Sequence, residues 1–200
     1  MLYNIYSGKS TLTQLQKTID SVESLLPPQA MRMYFTVNHD ENSWNGTEFE
    51  RFGEGYKAFA VWTQTMHRSI PLIYSGQEEP NKRRLQFFEK DPIQWSKYEL
   101  APFYKTLLEL RRTTPALATN ARSRRLYTDK EDEIYAFVSV NGPSKVIVIL
   151  NLSKDQQQFS ISDDALPGKA RSVFGGNTLQ TMPASKKFNM KPWEFIIYKY

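Results

Sequence analysis

The chain of 200 residues predicts two structural classes in succession: an α/β segment over residues 1–118, then an all-β antiparallel sandwich over 119–200. Three observations lead there. Up to about residue 118, helical periods alternate with short apolar runs, an order that implies right-handed crossovers and a parallel sheet. Beyond that point only short strand-like runs occur, divided by turn signals. Both polar clusters of the first segment, NHDENSW and SGQEEP, directly follow an apolar run. They therefore fall at carboxyl ends of strands, where α/β sheets gather their functional residues.

The elements follow in order. From Thr11, the stretch TLTQLQKTIDSVESLL places Leu12, Leu15, Ile19, Val22 and Leu26 at spacings of three and four, the helical period, until Pro27 and Pro28 stop it. Met31 to Val37 is apolar except for Arg32, which predicts a parallel strand covered on both faces. Phe49, Phe52, Tyr56, Phe59, Ala60, Thr63 and Met66 form one stripe of a second helix. Ile70 to Ser75 predicts a second buried strand closed by Gly76, and Ala101 to Thr113 a third helix with Phe103, Leu107, Leu108 and Leu110 inward. After residue 118, SRRLYT, EIYAFVSV, SKVIVILNL, QQFSIS, KARSVF, NTLQTM, KKFNM and WEFIIYKY read as about eight strands. Turns at Asn141-Gly142-Pro143, Pro167-Gly168 and Gly175-Gly176 separate some of them.

Composition narrows the function classes. No apolar run approaches the roughly 20 residues of a membrane helix, and the first residues, MLYNIYSGKSTLTQ, lack a signal-peptide pattern, so no membrane partner is expected. Without cysteine there are no disulfides or thiolate metal sites, which leaves the compartment unassigned. The net charge of +5 divides into 14 basic against 13 acidic residues over 1–118 and 12 against 8 over 119–200. Only Lys82, Arg83, Arg84 and Arg122, Arg124, Arg125 cluster, neither with interleaved aromatics, so nucleic acid is not an expected partner.

His39 and Asp40 are the first candidates for chemistry. A carboxylate at a strand tip stabilises positive charge, holds a metal or moves a proton. By spacing alone, however, the pair fits a cap of the strand or following loop better than catalysis. A metal site is not expected, because the second of the two histidines, His67, falls at a helix end.

The wider sequence points further. Phe35, Asn38, His39 and Asp40 in FTVNHD, followed some thirty residues later by PLIYSGQE with Ile70, Pro71, Ile73, Tyr74, Gly76 and Glu78, resemble the seventh- and eighth-strand motifs of the α-amylase superfamily of glycoside hydrolases. FYKTLLELRRTTPAL is similar to that family's last barrel helix. The resemblance covers nearly the whole chain. It implies a partial (β/α)8 barrel of two parallel strands and about three helices, residues 1–118, followed by the C-terminal β-sandwich, 119–200. It also implies a retaining mechanism on α-glucans without a cofactor. Asp40 matches the carboxylate that steadies the transition state, and His39 the histidine that contacts hydroxyls of the sugar at the cleavage point. Asn38 belongs to the same motif in the substrate site, more as a support than as a contact. Glu78 matches the strand-eight acid at the site's edge, a position that a solvated loop acid fits equally well. Loop-borne Trp44 is the better candidate for stacking on sugar, whereas Trp62 falls on a helix and suits packing.

The family's nucleophile, acid/base and early histidine motif lie on earlier strands. Only about thirty residues precede FTVNHD here, and none resembles those motifs. The expectation is therefore a C-terminal portion that is inactive alone and self-associates to cover an incomplete barrel. The alternative is a non-catalytic carbohydrate-binding or structural sandwich protein, with Tyr127, Tyr135, Trp193 and Tyr198 as its available aromatics.

Overall fold

The computed structural model describes residues 1–176 and 178–200, so Asn177, at the start of the run read as NTLQTM, lies outside the described residues. A short helix α1 (Leu2–Tyr6), with no counterpart in the sequence pattern, precedes α2 (Leu12–Leu25). Thr11 caps α2: its hydroxyl accepts the Gln14 N–H at 3.1 Å, and the Gln14 side chain accepts the Thr11 N–H at 3.1 Å. Leu12, Leu15 and Ile19 are the buried stripe.

The parallel pair is shorter and barer than its apolar runs predict. β1 (Arg32–Tyr34) pairs with β2 (Ser69–Pro71), Met33 opposite Ile70. The last rung is Leu72 N–H to the Tyr34 carbonyl at 3.0 Å. Pro71 has no N–H to extend the ladder, and no third strand flanks the pair among the described residues. Met33 and Ile70 are 56% and 43% exposed, so this face lacks the cover expected of a parallel sheet.

The stripe over residues 49–66 is divided. α3 (Glu48–Phe52) ends at Gly53, and after one 3₁₀ turn the chain resumes as α4 (Tyr56–Thr65). Gly53 has φ +45°, and a Cβ there would collide with the Tyr6 hydroxyl packed against it. α5 (Ala101–Thr113) keeps its expected limits, with Phe103, Tyr104, Leu107 and Leu110 buried. Leu108 is exposed, contrary to expectation, because Tyr104 rather than Leu108 completes the inward stripe.

Among the described residues eight strands follow: β3 (Arg122–Leu126), β4 (Ile134–Asn141), β5 (Ser144–Asn151), β6 (Gln157–Ser162), β7 (Gly168–Ser172), β8 (Leu179–Met182), β9 (Ser185–Met190) and β10 (Phe195–Lys199). They form an antiparallel sandwich whose six-stranded sheet has the order β3-β4-β5-β10-β7-β8, facing the pair β6-β9. Ile134, Ala136, Val138, Ile147 and Ile149 point into the sandwich with Phe159, Ile161 and Phe188. The intervening residues Tyr135, Phe137, Val146, Val148 and Leu150 pack in one core with Leu15, Phe59, Trp62, Phe103 and Leu107 of the helices. The larger sheet is thus a middle layer, which explains why KVIVILN is apolar without alternation. A chain of rings crosses the junction: Tyr34 meets Trp62 edge-on at 5.2 Å, and Trp62 meets Tyr135 at 6.1 Å. The Tyr135 hydroxyl donates to the Gln16 side chain at 2.8 Å.

Candidate functional site

The chain leaving β1 runs through Phe35 to Asn38 and then winds into a tight turn, at 39–40 and on through the π-helical segment Glu41–Asn45. Asn38 starts this turn. Its side-chain carbonyl accepts the Glu41 N–H at 2.8 Å, and its main-chain carbonyl accepts the Asn42 N–H at 2.9 Å. Asn38 thus takes the capping work, and the Asp40 carboxylate caps nothing. His39 Nε2 lies 3.5 Å from Asp40 Oδ2, and both side chains are more than half exposed. The neighbouring acid Glu41 is already engaged, by Arg51 at 3.1 Å and by the Asn45 amide at 3.0 Å. Asp40 is therefore a presented carboxylate beside an imidazole at the carboxyl end of a parallel strand.

Trp44, on the same turn, is exposed, and its ring lies 5.5 Å from Phe87 and 6.4 Å from Phe88. The His39 ring is 5.7 Å from Phe87. The segment carrying these phenylalanines is held by the turn: the Asn42 side chain accepts the Leu85 N–H at 2.7 Å, and the Ser43 hydroxyl donates to the Leu85 carbonyl at 2.7 Å. Glu78 sits elsewhere. It lines an open groove with Ile73, Tyr104, Lys105, Leu108 and Arg112 along α5, and one of its carboxylate oxygens is sheltered without a hydrogen-bond donor among the described residues. His39, Asp40 and Trp44 are brought together on one turn, whereas Glu78 is not part of that cluster.

Beneath the turn lies a buried polar group that sequence patterns missed. Glu48, at the start of α3, accepts from the Thr36 hydroxyl at 3.1 Å, from the Tyr104 hydroxyl at 3.3 Å and from the Gln77 amide. Gln77 also reaches Thr36 at 3.0 Å and Tyr104 at 2.9 Å. Burial pushes the Glu48 carboxyl up to about 7, against the opposing pull of these hydrogen bonds. The network ties the tip after β1, α3, the loop after β2 and α5 into one support. The available signal was the T-x-x-E capping box at Thr47 and Glu50, which marks the start of the helix that carries Glu48. Among the described residues no three His, Asp or Glu side chains converge as metal ligands.

No protein-family model matches the chain. It is 24% identical over 191 residues to alpha-amylase 2 of Dictyoglomus thermophilum, covering 88% of this chain and 32% of that protein. It is 26% identical over 183 residues to neopullulanase 2 of Thermoactinomyces vulgaris, covering 83% and 31%. The chain thus spans about a third of the length of these curated relatives. Among solved structures, a maltogenic α-amylase from Thermotoga neapolitana superposes with a TM-score of 0.80 at 17% identity, covering 98% of this chain and 47% of that one. An α-amylase from Lactobacillus plantarum superposes at 0.77 and 14% identity, covering 99% and 45%. The chain is thus similar in sequence to a portion of an alpha-amylase and of a neopullulanase, and similar in fold to the corresponding portion of solved α-amylases.

Proposed function

We propose that the chain is the C-terminal portion of a retaining glycoside hydrolase acting on α-glucans, of the α-amylase, neopullulanase or cyclomaltodextrinase type. Residues 1–118 are the end of its (β/α)8 barrel and 119–200 its sandwich domain. The observation that carries this reading is the presented Asp40–His39 pair at the carboxyl end of β1, relieved of capping by Asn38.

In this reading Asp40 supplies negative charge to the oxocarbenium-like transition state, where a fixed carboxylate acts more strongly than on the neutral ground state. His39 donates to hydroxyls of the same sugar, Asn38 fixes the turn, Trp44 stacks on a ring, and Glu78 supports the site's edge from the α5 side. Retaining chemistry also needs a nucleophile and an acid/base whose carboxyl groups stand about 5 Å apart. Neither has a motif in this sequence, so the chain alone is expected to release no sugar from starch or pullulan. In the full-length protein, Asp40→Asn is expected to lower kcat roughly 10²–10³-fold with an unchanged circular dichroism spectrum. Unchanged turnover would remove Asp40 from the mechanism. A sandwich-borne binding module finds less support: Tyr135 and Tyr198 are core residues and Trp193 packs on Phe59, which leaves Tyr127 as the exposed ring of the four.

A further inference from the structure

We infer that Phe87 and Phe88, on the segment between β2 and α5, form with Trp44 a second sugar-stacking subsite beside the one that His39 and Asp40 serve. This rests on the α-glucan reading above and extends it to residues outside its motifs.

Three features argue for a built platform. First, the rings are exposed where burial would be the default: Phe88 is 81% exposed and Trp44 60%. Two large aromatics on one surface normally mark a contact site rather than a packing defect. Second, their placement is held by polar groups on the turn and on the flanking segments. Asn42 and Ser43 grip both main-chain groups of Leu85, Arg84 pairs with both Glu50 carboxylate oxygens at 3.1 Å, and Asp91 accepts the Gln86 N–H at 2.9 Å. Phe87 and Phe88 then stand edge to face at 4.8 Å, with Trp44 against both. Third, the three rings line an open cleft of about 390 Å³ rimmed by Arg84, Gln86 and Glu89, at the small end of the roughly 300–1,000 Å³ of ligand sites.

The rim selects the occupant. It carries a cation, an anion and an amide around apolar rings, so neither an anionic nor a cationic ligand is favoured. A neutral ring with an apolar face and a border of hydroxyls satisfies both parts. A glucosyl unit has that form, and the contact between the His39 and Phe87 rings makes the platform continuous with the Asp40 turn.

Binding of maltoheptaose to the 200-residue chain, followed by calorimetry and by the Trp44 indole N–H resonance, tests this. Phe88→Leu and Phe87→Ala are expected to weaken binding about tenfold each, and Phe88→Tyr to retain it, because Tyr keeps the ring while Leu keeps only apolar bulk. Phe88 is almost wholly exposed, so its variants leave the fold intact, and the indole resonance reports the platform without any substitution. Binding lowered by His39→Ala but indifferent to both phenylalanine variants, with an unshifted Trp44 resonance, would overturn the platform and leave the α-glucan reading standing. Failure of the unaltered chain to bind would overturn the platform, while the α-glucan reading is decided separately by the turnover of the full-length protein and its Asp40→Asn variant.

Discussion

At the scale of single residues, Glu48 makes the sharpest measurable claim. Its carboxyl sits near 7 in the folded protein, above its ordinary value of 4.5, chiefly through burial. Between those values the folded state holds a proton that the unfolded chain has released. The stability contributed by this group is therefore expected to be complete below about 4.5 and to fall as pH rises towards 7, by on the order of 3 kcal/mol. Urea midpoints across that window check it, and Glu48→Gln should flatten the profile. An unaltered slope in the variant would assign the pH dependence to other groups. Glu48 also shows where sequence reading stops: an acid in the first turn of a helix is ordinarily a solvated partner of the helix dipole. Only the convergence of Thr36, Gln77 and Tyr104 from three other segments reveals it as buried. Asp40 and His39 are the opposite case, since their placement at a strand tip is local and so was legible.

At the scale of elements, periodicity was informative wherever one neighbour dictated the pattern. α5 and the eight strands carry their limits in residue spacing, and α2 carries its start in Thr11. Thr11→Ala is expected to cost about 1 kcal/mol, read as a lowered urea midpoint with unchanged slope; a neutral result would mean that Gln14 alone suffices. The stripe over 49–66 carried only Gly53 and Gly55 as a sign of its break, and what fixes the break there is Tyr6 approaching Gly53 from a distant helix. The β1–β2 pair is short because parallel strands are extended by neighbours, and among the described residues each strand here pairs only with the other. Phe87 and Phe88 lie in the long segment between β2 and α5, where no period exists to place them; tertiary hydrogen bonds from Asn42 and Ser43 do so instead.

At the scale of the whole molecule, the six-stranded sheet joins two cores. Leu150→Ala, on the helix-facing side, is expected to cost roughly 2–5 kcal/mol, and calorimetry should show one transition shifted as a unit. A second transition appearing in the variant would show that helices and sandwich melt separately. The uncovered Met33–Ile70 face leads us to expect self-association of this chain. A monomeric mass by light scattering, with full hydrogen-exchange protection of residues 32–34 and 69–71, would count against it. Separating 119–200 would uncover Tyr135, Phe137, Val148 and Leu150, so the isolated sandwich is expected to bind a hydrophobic dye that the full chain does not. The same middle sheet also sets how this sequence is free to drift. A strand with one wet side tolerates every second position, but β4 and β5 have no wet side over most of their length. A survey of tolerated substitutions should therefore show an unbroken block of intolerance there, interrupted at the Asn141–Gly142 tip and resuming without alternation.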